Sequence, residues 1–175
     1  MNPIKNWDSI EEMGASDFRK LPAGGYVVKI ISVADKSDKN YLECVYDIAE
    51  GEYKDYYSDD WGKEHPYAHK FNRSYSEKAQ GFFKGFIKNV EASNKGYTWN
   101  WDEKTLVGKL VGIVLGEEEY NKTNGTVGTR LYDKSVKSVE DIRKGNFTVP
   151  ELKKVEEKIQ AETPEGFKSD ADMPF

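Results

Sequence analysis

The segment Tyr-Leu-Glu-Cys-Val-Tyr-Asp-Ile at 41–48 alternates with a period of two. Leu42, Cys44, Tyr46 and Ile48 fall on one side, and Tyr41, Glu43, Val45 and Asp47 on the other. A helix would scatter those four apolar residues around its circumference, so the pattern requires a strand with one buried face. Ahead of it, residues 26–33 are rich in β-branched side chains and follow the turn-forming Leu21-Pro22-Ala23-Gly24-Gly25, which reads as a first strand. The polar loop between the two, residues 35–39, is short enough to make them an antiparallel hairpin. A chain that begins in this way builds a sheet, and the remaining segments must complete it.

Residues 50–67 hold Tyr53, Tyr56, Tyr57, Trp61 and Tyr67 among acids, Gly62 and Pro66, and read as a long aromatic loop. A third strand is expected at 68–75, with Phe71, Arg73 and Tyr75 sharing a face. Ser76 then reads as the N-cap of a helix over 76–92, with Glu77 in its first turn. Ala79, Phe82, Phe83, Phe86, Ile87 and Val90 lie on one side of that helix, and Asn94 and Gly96 end it. Residues 106–116 are apolar enough for a central strand, and its three glycines, Gly108, Gly112 and Gly116, signal bends or close backbone approach. Asn124-Gly125 supplies a hairpin turn, and residues 127–137 return as a fifth strand. On it Val127, Thr129 and Leu131 face one way and Arg130, Tyr132 and Lys134 the other.

Three strands, a helix and two strands make a mainly β fold in the order of the five-stranded Greek-key barrel called the OB-fold, whose helix lies between strands three and four. A simple antiparallel sheet with one packed helix is the alternative. The expected division is an N-terminal extension at 1–20, the OB-fold domain at 21–148, a C-terminal helix at 149–161 opened by Pro150, and an acidic tail at 162–175. A short turn or helix at 139–143 precedes that last helix.

The chain has 175 residues, fitting one domain with extensions. No apolar run approaches the ~18 residues of a membrane span and no signal-like stretch opens the chain, so the expected location is cytoplasmic, without membrane contact. The single Cys44 excludes an internal disulfide and reads as a buried thiol. Of 26 bases and 31 acids, residues 162–175 contribute one base and four acids, leaving 25 bases against 27 acids in the body. A nearly neutral body can still carry a basic stripe, with Lys70/Arg73 and Arg130/Lys134/Lys137 as the clusters to watch.

Aromatic residues make up 13% of the chain, more than a core of this size needs, so some are expected to work outside it. A protein gripping single strands needs rings on which bases stack, worth ~1–3 kcal/mol each, and cations that follow phosphates. The candidates on the strands and loops an OB-fold would use are Lys70, Phe71, Arg73 and Tyr75 on strand three, and Tyr120 and Lys122 beside the four-to-five loop. Arg130, Tyr132 and Lys134 add to them on strand five. Tyr97, Trp99 and Trp101 are alternate residues, so in an extended segment their rings would point the same way. Tyr53, Tyr56, Tyr57 and Trp61 offer a second platform.

Signs of catalysis are few. His65 and His69 are four apart with Pro66 between them and no HExxH pattern, and neither a P-loop nor a Gly-x-Gly-x-x-Gly motif is present. Acids such as Asp59, Asp60 and Glu117–Glu119 read as solvated rather than as Mg²⁺ ligands. The expectation is a non-enzyme with no cofactor and no metal. Two other classes fit the aromatic content: a carbohydrate-binding β-domain and a protein-interaction adaptor.

The sequence closes on Asp170-Ala171-Asp172-Met173-Pro174-Phe175, two acids followed by an apolar Pro-Phe. In bacterial single-stranded DNA-binding proteins, acidic tails closing on Pro-Phe hand replication and repair enzymes to the DNA. With this tail, the strand-helix order and the run at 137–150 leading into a charged helix, the chain resembles phage-encoded single-stranded DNA-binding proteins over most of residues 20–175. The resemblance implies a protein that coats single-stranded DNA during replication and recombination. Its tail, through Asp170, Asp172, Met173, Pro174 and Phe175, would recruit replication and recombination proteins. The tether differs from the long Gly/Gln-rich linker of bacterial relatives and the tail is sparse in acids, so recruitment would be weaker. Tetramer formation does not carry over, and a homodimer stays open.

Overall fold

The computed structural model describes residues 20–156 together with Pro3, Lys5 and Trp7–Ser9. Its frame is one mainly antiparallel five-stranded sheet with the order β3-β2-β1-β4-β5, built from β1 (Gly24–Lys36), β2 (Tyr41–Ile48), β3 (Lys70–Ser74), β4 (Leu110–Asn121) and β5 (Val127–Lys137). Among the described residues α1 (Asp60–Glu64), α2 (Gln80–Ser93) and α3 (Val139–Lys144) accompany it. The alternating segment is β2 with the expected bounds, and its predicted inner set Leu42, Cys44, Tyr46 and Ile48 is wholly buried.

β1 is longer than its sequence signal and holds the sheet together, pairing with β4 through its first half and with β2 through most of its length. A bulge between Ile30 and Ser32 lets one strand serve both neighbours, since an extra residue bends the strand and raises its twist. The sheet does not close by strand pairing among the described residues. Instead the two edge strands are joined by an ion pair, Arg73 Nη1 on β3 to Asp133 Oδ2 on β5 at 2.8 Å.

α2 starts three residues later than Ser76 as N-cap implies, because a 3₁₀ turn at Glu77–Ala79 comes first. Ser76 makes no side-chain cap there and instead bonds to Ser74. The helix buries Phe86, Ile87 and Val90 against β3 and β4. Asn94 ends it, and its amide is anchored to Leu110, accepting from the main-chain N at 2.9 Å and donating to the carbonyl at 2.7 Å.

Of the three glycines in the expected 106–116 strand, Gly112 and Gly116 lie on β4 and act through close approach, whereas Gly108 precedes the strand, which starts at Leu110, and makes a bend with φ 81. A Cβ on Gly112 would lie 2.5 Å from Ile142 Cγ1, and one on Gly116 would lie 2.5 Å from Tyr132 Cζ and 2.7 Å from Pro150 Cγ. Gly25 on the neighbouring β1 is covered in the same way by the Phe147 ring. These positions form a bare trough in which the segment following β5 lies flat. Gly116→Ala should therefore displace Tyr132 and Pro150 and destabilise the fold by about 1–3 kcal/mol in chemical denaturation. A change below ~0.5 kcal/mol, ordinary for a surface site, would show that nothing is seated there.

That segment also corrects an expectation. Residues 150–154 are not helical; Lys153 pairs in parallel with Glu118, its N–H donating to Glu117 O and its carbonyl accepting from Glu119 N. β4 outruns β1 at this end, so its free edge takes Lys153 as a partner. Helix appears only at 155–156, the last described residues. The remainder of the predicted 149–161 helix and the whole 162–175 tail lie outside the described residues. No helix among the described residues is long and apolar enough to cross a membrane.

Candidate nucleic-acid interface

The predicted stacking residues divide into three environments. Phe71 belongs to the core: it is 1% exposed and packs edge-on to Phe86 with ring centroids 5.7 Å apart, so it offers no face to a base. Arg73 sits over that ring at 4.6 Å while pairing with Asp133, and Lys70 Nζ is 2.7 Å from Glu43 Oε2. The Lys70 hydrogen bond also holds the Glu43 carboxyl below the usual range. Strand three thus spends its cations on internal partners.

The second environment is a groove of about 880 Å³ between α2, the 99–103 segment and the β1–β2 end of the sheet. Tyr75, Phe83, Trp99 and Trp101 supply its rings. Phe83 meets Tyr75 at 5.8 Å and Trp99 at 6.3 Å, and Trp99 meets Trp101 at 6.1 Å. Alternation does not survive here, because Trp101 has φ 67 and turns its ring into solvent, 83% exposed. Tyr97 points elsewhere, bonded to Thr105 Oγ1 at 2.9 Å with Lys109 over its ring. Trp99 is fixed by its main-chain N donating to Glu91 Oε1, while its indole N–H is buried without an acceptor among the described residues. The Tyr75 hydroxyl donates to Asp35 Oδ1 at 2.7 Å. That bond, some desolvation and the fields of Asp35, Asp38 and Glu103 raise the pKa of the hydroxyl.

The third environment is the arm where β4 and β5 outrun the rest of the sheet. Arg130 lies 5.5 Å over the Tyr120 ring and Lys153 3.9 Å over Tyr132. The acids here are occupied: Glu117 by Lys20 at 2.5 Å, Glu118 by Arg130 at 2.8 Å, and Glu119 by the N–H of Val155 at 3.2 Å. Lys122 and Lys134 are exposed and have no ion pair among the described residues. The arm therefore brings Tyr120, exposed cations and neutralised acids together, while Tyr132 is seated on Gly116 under Lys153 with its hydroxyl buried and without a partner among the described residues.

The proposed second platform is mostly core. Tyr57 is buried, and Tyr53 and Tyr56 pack against it or beside it. Trp61 instead stacks on His65 at 4.6 Å, with Tyr67 edge-on to the same imidazole, making an exposed ladder that the i, i+4 spacing of Trp61 and His65 could have signalled. His69 is buried, its Nδ1 at Tyr46 O and its Nε2 3.0 Å from Gly62 O, and its ring stacks on Tyr57 at 4.4 Å. Both of its nitrogens are occupied, so it does not pair with His65 on a metal. No group of three or more potential metal ligands occurs among the described residues.

Cys44 is fully buried, and desolvation pushes its thiol up to about 12. It should react with a thiol reagent only on unfolding, so its labelling rate should follow global opening. Rapid labelling of the native protein would contradict this placement.

No protein-family model matches the chain, and no curated protein matches it. The functional reading rests on the arrangement of these side chains.

Proposed function

We propose that this protein binds single-stranded DNA with little sequence preference and has no catalytic activity, serving phage DNA replication and recombination. The observation that carries the reading is the tip of the β4–β5 arm, where Tyr120 lies beneath Arg130 and where Lys122 and Lys134 are exposed with no ion pair among the described residues. Rings of that kind accept bases in any order, and the cations attract the backbone. The strand order supports an OB-fold, with β1 shared between β2 and β4, the helix between β3 and β4, and the β3 and β5 edges joined at Arg73–Asp133. In such a fold the four-to-five loop is a ligand-binding loop, and here it forms the tip of the arm. The tail, Asp170 to Phe175, would recruit partner proteins to the bound strand.

Fluorescence anisotropy with labelled oligo-dT tests this. Binding should weaken with salt with a slope of about 0.7 per phosphate neutralised. Removing residues 170–175 should leave that slope unchanged. Absence of salt-dependent binding at micromolar protein, or equal binding of a neutral oligosaccharide, defeats the proposal.

A further inference from the structure

The groove beside α2 differs from the arm in charge, and that difference points to a different ligand. Its rings are surrounded by carboxylates: Asp35 and Glu103 line it, and both act on the Tyr75 hydroxyl together with Asp38. Two lysines also line it. Lys88 is paired with Glu91 at 2.7 Å, which leaves Lys84, without an ion pair among the described residues, beside Asp35 and Glu103. A phosphate backbone entering here would meet carboxylates that have no cationic partner among the described residues, whereas a cation would be attracted twice, by the carboxylates and by the negative faces of the rings.

We propose that this groove is a docking site for a basic peptide segment of a partner protein, seating an arginine or lysine side chain against Trp101, Trp99 and Tyr75 with Asp35 and Glu103 as counter-charges. Arginine is the better occupant, because its flat guanidinium stacks on an indole while still donating to a carboxylate. Trp101 is placed for this role: its left-handed backbone turns a large apolar ring into water, 83% exposed, with the Trp99 ring 6.1 Å away. The groove is wide enough for a peptide, since cavities holding drug-sized ligands run ~300–1,000 Å³. The site is separate from the arm, so it holds whether or not the arm binds DNA.

The test is anisotropy of a fluorescein-labelled hexa-arginine peptide with the full chain, with labelled oligo-dT and a neutral chitin hexamer as parallel ligands. The peptide should bind. Trp101→Ala and the pair Asp35→Asn with Glu103→Gln should each weaken it at least about fivefold, while leaving oligo-dT binding unchanged. Glu140→Gln, which removes an exposed acid on α3, should change it less than about twofold. Circular dichroism confirms that each variant is folded. The proposal fails if the peptide does not bind, if Glu140→Gln weakens it as much as the groove variants do, or if Trp101→Ala has no effect. It also fails if the groove variants impair oligo-dT or the chitin hexamer instead.

Discussion

Phe71→Ala is expected to cost about 3–5 kcal/mol of folding stability, the range for truncating a fully buried aromatic ring. The ring is sealed between Tyr46 and Phe86, with Arg73 over its face, so truncation opens a cavity under both the sheet and the helix. For a domain of this size the melting temperature should fall on the order of 10–20 °C. If Phe71 were a base-stacking residue, its loss would leave the melt nearly unchanged and weaken DNA binding instead. Thermal denaturation followed by circular dichroism separates the two outcomes. A loss below ~1 kcal/mol would contradict the core placement.

The largest effect on binding is expected from reversing charge on the arm. Lys122→Glu, Arg130→Glu and Lys134→Glu together remove three candidate phosphate contacts and add three repulsive charges. The log-log salt slope should fall by about 2, at ~0.7 per lost contact, and affinity for oligo-dT at about 100 mM salt should drop on the order of a hundredfold. The matched control reverses Lys78, Lys95 and Lys104, exposed lysines outside the arm. It gives the same net charge, so equal loss in the two triple variants would mean that DNA responds to overall charge rather than to this surface. Trp101→Ala should leave the salt slope intact.

Where periodicity had only one physical solution, the fold was legible. β2 and β5 have their expected bounds, the Asn124-Gly125 turn joins β4 to β5, and the β4 glycines mark close approach. The candidate site was less legible, because alternation says which residues share a face but not which face is buried. Phe71 and Arg73 share a side as expected, yet that side is the core side. Trp101 turned its ring outward through its own left-handed backbone, which no pattern announced, and Tyr97 turned to Thr105. Tyr53, Tyr56 and Tyr57 of the 50–67 loop pack into the core because the loop folds back on β2, with His69 bonding to Tyr46 and Asp47 Oδ1 accepting from the Tyr57 N–H at 2.9 Å. The extended path of residues 150–154 was hidden by a charged sequence after proline that suits a helix equally well, and only the free edge of β4 decides between them.

The Arg73–Asp133 link bears on how such a protein behaves when many copies are crowded together. An open sheet has two unpaired edges, and such edges template strand addition by other chains, the usual route to fibrils. Here one edge strand is only five residues long and carries Lys70 and Arg73, and the ion pair draws it to the opposite edge so that each screens the other. At high local concentration, copies that meet are thereby kept from joining their sheets edge to edge.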